Sequence, residues 1–220
     1  LKSRKGTVQK NLYHLLPKLF LAVIFIGLPN QGQANPDKIK TLTLQTLPYS
    51  PKLIKKISEG SIYAHSKVKT LKEKNIKKQE LKFSVTGLHE KSCRFALRKL
   101  SQYEVYKNHI GFIKESRYLE KKGRVDFLLS SMLLPYDMRL NFKIPRITTV
   151  GTYPFFFDQG FLKNLRGFIR VSKSNKRCLF HTTAHWKGPH SGISNSIFEF
   201  FSSVLSELAM KNLFRISRTY

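Results

Sequence analysis

Two histidines, His181 and His185, have the spacing that first suggests chemistry, because imidazoles four residues apart on a helix can share a metal ion. The surrounding LFHTTAHW is instead typical of a strand, on which four residues span roughly 13 Å. Two imidazoles that far apart cannot both bind one ion at about 2.1 Å. The sequence therefore predicts no metal site here, and it predicts that His181, Thr183 and His185 lie on the outer face of a sheet.

Other residues with reactive side chains lack the neighbours that catalysis requires. Ser130 and Ser131 lie close to Asp126, but no histidine has an informative spacing from them and no G-x-S-x-G sequence is present. Glycine-rich phosphate loops are also absent. Glu115, Arg117 and Asp126 are expected on adjacent strands, either as a weak cross-strand ion pair or as a polar group that fixes a ligand headgroup. The sequence predicts no catalytic residues and no cofactor.

The longest apolar segment that could position a site is the C-terminal stretch at 195–219. Its apolar residues recur at helical spacing and Ser194 or Asn195 can cap its first turn, so we predict one amphipathic helix of about six turns. Such a helix needs an apolar partner surface. The residues with this spacing are Ile197, Phe198, Phe201, Val204, Leu205, Leu208 and Leu213.

Upstream of this helix the apolar pattern has a period of two, which indicates strands. The clearest example is 136–144, where apolar and polar residues alternate without an error. Short turns between successive strands indicate an antiparallel sheet. Two short helices, ending at Leu100 and His109, lie between the first and second strands. The seven predicted strands are 81–86, 111–120, 124–133, 136–144, 148–157, 161–172 and 177–187.

Two short patterns accompany this order of elements: LSQYEVY at 100–106 with FIKESR at 112–117, and the weaker LRGF at 165–168. They resemble the START-like superfamily, which includes the Bet v 1 allergens, polyketide cyclases and lipid-transfer domains, although Gln102 stands where the family has an aspartate. The resemblance covers 80–220 and implies an α+β helix-grip fold. In that fold a seven-stranded antiparallel sheet wraps around the long C-terminal helix and leaves an apolar cavity between them.

Side-chain parity gives candidates for the lining of such a cavity, because alternate residues of a strand point to the same face. The apolar faces of three strands and of the long helix are expected to surround it. The same residues would equally describe a close-packed core. The candidates are Phe127, Leu129, Met138, Leu140, Phe142, Phe180, Trp186, Phe198, Phe201 and Leu205.

The two cysteines, Cys93 and Cys178, offer a disulfide. The first predicted strand should run antiparallel to the last, which places its end, close to Cys93, beside the beginning of the last strand, close to Cys178. A disulfide closing about 85 residues would contribute on the order of 4 kcal/mol. Two buried free thiols are the alternative, and of the two states we favour the free thiols.

The first 34 residues have the layout of a secretory signal peptide. Basic residues without acidic ones precede the apolar run Leu19–Leu28, and Gly32, Gln33 and Ala34 provide small residues at the cleavage site. Ten apolar residues are too few to cross a bilayer, which takes about 20 in a helix. We therefore expect an exported protein, periplasmic or secreted. An uncleaved interfacial anchor or a buried helix is the alternative.

A lysine-rich segment at 35–79 is predicted to form a partly flexible arm with one short helix near 51–58, ahead of a domain at 80–220. The formal net charge of +27 favours adhesion to an anionic membrane surface or another polyanion. Specific nucleic-acid binding is not expected, because export removes that partner and no row of aromatic residues interleaves with arginines.

These features together predict an exported, non-enzymatic binding or carrier protein for a lipid or another hydrophobic ligand. One alternative is a cyclase- or hydrolase-type enzyme that uses the same cavity, which would require at least two titratable groups converging inside it. The other is an interaction protein of the cell envelope with a filled core, attached to an anionic polymer by its arm.

Overall fold

The computed structural model describes residues 42–132, 134, 136–160 and 162–218, so the predicted signal peptide lies outside the described residues. This part of the chain contains three α-helices, α1 (Pro51–Ser58), α2 (Cys93–Leu100) and α3 (Asn195–Ile216). Short 3₁₀ segments are found at Leu44–Thr46, Tyr103–Asn108 and Glu120–Lys122. The strands are β1 (Tyr63–Glu73), β2 (Ile76–His89), β3 (Ile113–Leu119), β4 (Arg124–Leu129), β5 (Met138–Lys143), β6 (Gly151–Gly160), β7 (Arg166–Ser174) and β8 (Arg177–Pro189).

The eight strands form one sheet in the order β1-β2-β8-β7-β6-β5-β4-β3. All neighbouring pairs are antiparallel. After the β1-β2 hairpin the chain passes through α2 to the far edge of the sheet and returns strand by strand until β8 pairs with β2. Helix α3 then packs on one face of the sheet, which we call the inner face. This is the α+β helix-grip architecture that the resemblance implied.

The sheet has one strand more than predicted. β1 pairs with β2 from Tyr63 opposite Thr86 to Glu73 opposite Ile76, whereas the sequence analysis assigned this segment to a partly flexible arm. The predicted boundary at residue 80 therefore falls inside β2, and the short helical segments lie between β2 and β3 rather than after a first strand. The alternation along β1 is weak because its inward-facing positions include the small residues Ala64 and Ser66.

Helix α3 is fixed at both ends by hydroxyl groups. The Ser194 hydroxyl accepts the backbone N–H of Ile197 at 3.4 Å, which caps the first turn as predicted. After the last turn, the buried Ser217 hydroxyl donates to the Leu213 carbonyl at 2.9 Å and lies 2.9 Å from Nε2 of His89. Because His89 ends β2, this contact attaches the C-terminal end of α3 to the sheet.

Close approach of α3 to the sheet requires the glycine at position 87 of β2. A β-carbon there would lie 2.7 Å from Sδ of Met210 and 2.9 Å from the ring of Phe214, which is closer than real side chains come. Toward the other end of the helix, Phe198 packs edge-on against Trp186, with ring centroids 5.9 Å apart. These contacts confirm that the long helix packs against the sheet.

The rest of the α3 surface is more apolar, and less of it is buried, than we expected for an amphipathic helix. Only Phe198 and Phe214 are fully buried, while Ile197 and Phe200 are about half exposed, at 48% and 55%. In the described part of the chain, no helix combines the length and the apolar character needed to cross a bilayer.

The segment 42–58 covers part of the opposite, outer face of the sheet. Leu44, Leu47 and Ile57 form a small apolar cluster with Leu88 of β2 and Leu179 of β8. This cluster is separate from the main core beneath α3. The predicted short helix near 51–58 is confirmed as α1, and its inner side contributes to the cluster.

A buried polar chain ties the same segment to the sheet. The Thr86 hydroxyl lies 2.7 Å from the Tyr49 hydroxyl and 2.8 Å from Nδ1 of His181. His181 is only 5% exposed, and burial, together with the nearby charge of Arg170, lowers its pKa from 6.5 to about 4. The neutral imidazole is therefore the form that the fold accommodates.

The cysteines are joined in a Cys93–Cys178 disulfide, with their Cα atoms 4.7 Å apart, so the favoured prediction of two free thiols is wrong. The strand register explains this proximity, because His89 at the end of β2 lies opposite Cys178 at the start of β8. The adjacency of these two strand ends is therefore as predicted. The disulfide fixes the first residue of α2 to the sheet.

We expect the buried His181 to make the fold less stable in mild acid. The unfolded chain binds a proton on this residue below about pH 6.5, while the folded chain does so only near pH 4, so the free energy of unfolding should fall as the pH drops through this window. The slope from one such group is about 1.4 kcal/mol per pH unit. Urea denaturation at pH 7, 6 and 5 measures it, with His181→Asn as a variant that keeps a hydrogen-bonding group but does not titrate. Equal pH slopes in both proteins would contradict this assignment.

Candidate functional site

An apolar cavity lies between α3 and the inner face of the sheet. Its volume is about 180 Å³. Side chains from β2, β4, β5, β6 and α3 surround it, and the loops before β7 and α3 close it. The lining residues are Leu81, Phe83, Leu129, Met138, Leu140, Phe155, Phe157, Leu162, Leu165, Ile193, Phe198, Phe201, Ser202, Leu205 and Ser206.

The lining contains almost no polar group that a ligand could use. Ser202 and Ser206 are its only polar residues, and both hydroxyls already donate to carbonyls of α3, to Phe198 O at 2.8 Å and to Ser202 O at 2.6 Å. None of the lining residues is titratable. A molecule in this cavity would be held by apolar contact and shape, with at most a weak hydrogen bond to a serine oxygen.

Six of the ten predicted lining residues border the cavity. They are Leu129, Met138, Leu140, Phe198, Phe201 and Leu205, which come from β4, β5 and α3. The alternation along the two strands placed these side chains on the inner face, and the helical period placed the other three toward the sheet. The structure thus brings the two predicted surfaces together.

The other four predicted residues pack elsewhere in the core. Phe127 stacks on Tyr106 with centroids 5.8 Å apart, and Phe142 stacks on Phe157 at 4.7 Å. Phe127 therefore fills the volume toward the Tyr103–Asn108 segment, and Phe142 fills the volume between Phe127 and the rings of β6. They point inward as parity predicts, but other aromatic rings occupy the space that a ligand would need.

Phe180 and Trp186 of β8 are likewise covered by the helix. The ring of Phe180 lies 5.5 Å from that of Phe214. The Trp186 ring packs against Phe198, and its indole N–H donates to the Lys163 carbonyl at 2.9 Å. Phe214 and Phe198 of α3 contact β8 at these two points, and the cavity lies between α3 and side chains of β2, β4, β5 and β6.

Several lining residues were missed in the sequence analysis. Leu81 and Phe83 of β2 and Phe155 and Phe157 of β6 each alternate with outward-facing residues, so the parity that identified the β5 residues could have found them. Leu162, Leu165 and Ile193 come from loops. No periodic signal marks loop residues that fold back over a cavity.

The size of the cavity limits what it holds in this conformation. Pockets for drug-sized ligands have volumes of roughly 300–1,000 Å³, whereas an apolar cavity of about 150 Å³ can hold a molecule the size of benzene. At about 180 Å³ the space fits a compact apolar molecule. A long acyl chain would require α3 to move away from the sheet.

The polar groups considered as candidates lie outside this cavity. His181 is buried on the outer face, and His185 is exposed there, 2.7 Å from Oε1 of Glu80. Glu115 forms ion pairs with Arg139 at 3.1 Å and with Arg117 at 3.9 Å, all at the surface. Within the described residues, no three histidine, cysteine or acidic side chains come together as a metal site would require.

A larger concavity lies on the outer face of the sheet. This open groove has a volume of about 950 Å³ and crosses β2, β8, β7, β6 and β5. Exposed Lys82, Arg166 and Lys143 border it, and the aromatic residues Phe156 and Phe168 lie beside them. The sequence analysis did not predict it, because the residues come together only through the register of five strands.

Comparison with known proteins identifies the fold. No protein-family model and no curated protein sequence matches the chain. A START superfamily protein from Mycobacterium smegmatis matches with a TM-score of 0.50 and 10% identity over 62% of this chain and 97% of its own. The Zhui aromatase/cyclase from Streptomyces sp. R1128 matches with a TM-score of 0.53 and 9% identity over 63% of this chain and 94% of its own. A protein from Thermus thermophilus matches with a TM-score of 0.55 and 11% identity over 62% of this chain and 97% of its own.

These structural neighbours are Bet v 1, START and polyketide cyclase proteins, which confirms the START-like resemblance at the level of the fold. At 9–11% identity the likeness extends no further than the fold. The chemistry of the site therefore has to be argued from the residues of this chain.

Because no side chain fills the cavity, we expect a larger side chain in place of Ser202 to stabilise the fold. Replacing this serine with leucine should fill empty apolar space and raise the free energy of unfolding by about 1 kcal/mol. Ser202→Ala removes the same hydroxyl without filling the space and serves as the matched control. Denaturant melts of the three proteins make the comparison. If the site were a close-packed core, leucine would destabilise the fold by roughly 1–3 kcal/mol, which would contradict the cavity.

Proposed function

We propose that this protein binds a hydrophobic or amphiphilic small molecule between α3 and the inner face of the sheet and acts as a carrier rather than an enzyme. The observation that carries the proposal is the cavity of about 180 Å³, whose lining is apolar and contains no titratable residue. Burial of apolar surface would supply most of the binding free energy, at about 25 cal/mol for each Å² removed from water.

A cyclase- or hydrolase-type enzyme is the competing function, and a neighbour in fold carries the name aromatase/cyclase. General acid–base catalysis needs a titratable group within hydrogen-bonding reach of the reacting atom. The cavity lining offers only Ser202 and Ser206, whose hydroxyls are bonded to the helix backbone. This chemistry supports binding without turnover.

The ligand is of limited size while α3 remains in this position. The N-terminal end of α3 has a means to adjust, because Ile197 and Phe200 are already about half exposed and would lose little burial if this end moved outward. Such a movement would break the hydrogen bonds that the Val68 N–H donates to Glu199 and the Thr70 hydroxyl donates to Asn195. We propose that compact apolar molecules bind without rearrangement and that lipids bind with the helix displaced. Attachment at Ser217 and at the Gly87 contact would keep the C-terminal half in place.

We also propose that the protein works outside the cytoplasm, either in a periplasm or after secretion. The signal-peptide layout of residues 1–34 motivates this, and the Cys93–Cys178 disulfide supports it because structural disulfides persist in oxidising compartments. The positive charge would concentrate the carrier near anionic membrane surfaces, where amphiphilic ligands are found.

Binding is tested with the purified full-length chain. Native mass spectrometry should show a co-purified apolar molecule, and the neutral fluorophore 1-naphthylamine should bind with an increase in fluorescence. A neutral probe is needed because an anionic one would bind the basic surface. Ser202→Leu should weaken probe binding by roughly tenfold or more, while Ser202→Ala should leave it nearly unchanged.

Two results would contradict the carrier function. The first is a protein that is consistently empty and binds neither the fluorophore nor extracted lipid. The second is equal affinity of the leucine and alanine variants for the fluorophore, which would place its binding site outside the cavity.

A further inference from the structure

A row of side chains crosses the outer face of the sheet at right angles to the strands. Directly paired residues on neighbouring strands point to the same face, and the register aligns one such residue from each of seven strands. We call this set the basic row. In order across the sheet it consists of Lys67, Lys82, His185, Arg166, Phe156, Lys143 and Arg124.

The basic row carries more positive than negative charge. Five of its seven residues are lysine or arginine, and among the described residues only two carboxylates, Glu80 and Asp158, form ion pairs with the row. Lys67 and Arg166 form no salt bridge with a carboxylate anywhere in the described ranges of the chain. Arg166 instead places its guanidinium over the ring of Phe156, 5.3 Å from the ring centroid.

The stability of the sheet alone does not account for this arrangement. Lys67 lies directly opposite Lys82, whereas Lys143 and Arg124, which also lie opposite each other, share the carboxylate of Asp158. Like charges directly opposite each other on an antiparallel pair are destabilising. A carboxylate beside Lys67 or Arg166 would have stabilised the sheet further, and an anionic ligand in the groove would neutralise the charge that Glu80 and Asp158 leave uncompensated.

A second, uncharged row runs beside the basic row, two residues along each strand. It consists of Ser84, Thr183, Phe168 and Pro154. The open groove of about 950 Å³ follows the two rows across the sheet. Phe168 is 47% exposed, so this groove combines cations on one side with an apolar surface on the other.

The geometry fits a linear chain of anions. Neighbouring strands are about 4.8 Å apart, so the four steps from Lys82 to Lys143 along the groove cover roughly 19 Å. A flexible polymer can follow such a line inside a groove. A flat bilayer would contact protruding residues instead, and it could not follow the groove.

The aromatic residues argue against recognition of nucleobases. Proteins that bind single-stranded nucleic acids stack successive bases on several aromatic side chains. Of the phenyl rings in the two rows, Phe156 lies under the guanidinium of Arg166, and Phe168 alone is about half exposed. One exposed ring does not provide a series of stacking sites.

We propose that the groove on the outer face binds a linear phosphodiester polymer that lacks nucleobases. Lys82, Arg166 and Lys143 contact successive phosphates, and Phe168 and Pro154 contact the carbon backbone between them. This activity is separate from ligand binding in the cavity, since the polymer lies on the opposite face of the sheet from α3.

The test uses the full-length protein and a single-stranded 12-mer of abasic sites, which is a sugar–phosphate chain without bases. A triple variant, Lys82→Gln with Lys143→Gln and Arg166→Gln, changes three exposed residues of the row. It should bind the abasic 12-mer roughly tenfold or more weakly at low salt. The slope of log K against log salt should become shallower by about 2, because each lost contact to a single strand removes about 0.7.

Matched controls distinguish binding at the basic row from non-specific attraction to the net charge of the protein. Lys52→Gln with Lys55→Gln and Lys56→Gln removes the same charge from exposed positions of α1 and should change the affinity less than the row variant does. A second triple variant, Lys82→Gln with Lys143→Gln and Arg166→Lys, keeps the positive charge at position 166 and should recover part of the lost affinity. Circular dichroism checks that each variant is folded.

Four outcomes would overturn the proposal. If the triple variant of the row and the triple variant of α1 lost affinity for the abasic 12-mer equally, the protein would bind it through net charge alone. Tighter binding of oligothymidylate than of the abasic 12-mer would show recognition of bases. If the triple variant lost binding to phosphatidylglycerol vesicles but still bound the abasic 12-mer as the unmodified protein does, the row would be a membrane contact. Weak binding of the abasic 12-mer to the unmodified protein would overturn it as well.

Discussion

The contact of α3 with β2 at Gly87 is the constraint on which the structure depends. Without a side chain at that position, Met210 and Phe214 reach the sheet, and a single β-carbon would overlap both side chains, so that they or the helix would have to shift. The His89–Ser217 contact lies at the same end and holds the helix there. Toward its N-terminal end the helix rests on Trp186 through Phe198. The cavity is the space left between these two points of contact.

The inner and outer faces of the sheet are chemically opposite. The inner face is apolar and is covered by α3, apart from the cavity. The outer face is divided, because residues 42–58 cover one part through an apolar cluster and the buried pair Thr86 and His181, while the part crossed by Lys82 and Arg166 remains open. The high net charge is thus partly organised by the strand register instead of being spread evenly over the surface.

The sequence was most informative where one periodicity persisted. Helix α3 was predicted at 195–219 and extends over Asn195–Ile216, and β5 was recognised from an alternation that had no error. β1 was missed because its lysines resemble a solvated arm and its inward residues, such as Ser66, are small. Its partner strand and α3 supply the burial that makes it a strand, and neither is visible in the local sequence.

Prediction of the site was limited in a different way. Parity identified residues that point inward, such as Phe127 and Leu140, but it could not tell which of them meet open space. That distinction depends on whether a neighbouring ring, such as Tyr106 against Phe127, already fills the volume. The outer groove was hidden for a related reason, since its residues belong to five strands and become neighbours only when the register is known.

The most direct test of the whole account is a nuclear Overhauser measurement on the labelled full-length protein. We expect strong cross-peaks between the α-protons of Gly87 and both the methyl group of Met210 and the ring protons of Phe214, because these groups are in contact. Absence of these cross-peaks, with α3 instead showing contacts only to other helices or to solvent, would contradict the packing of α3 on the sheet and remove the cavity with it.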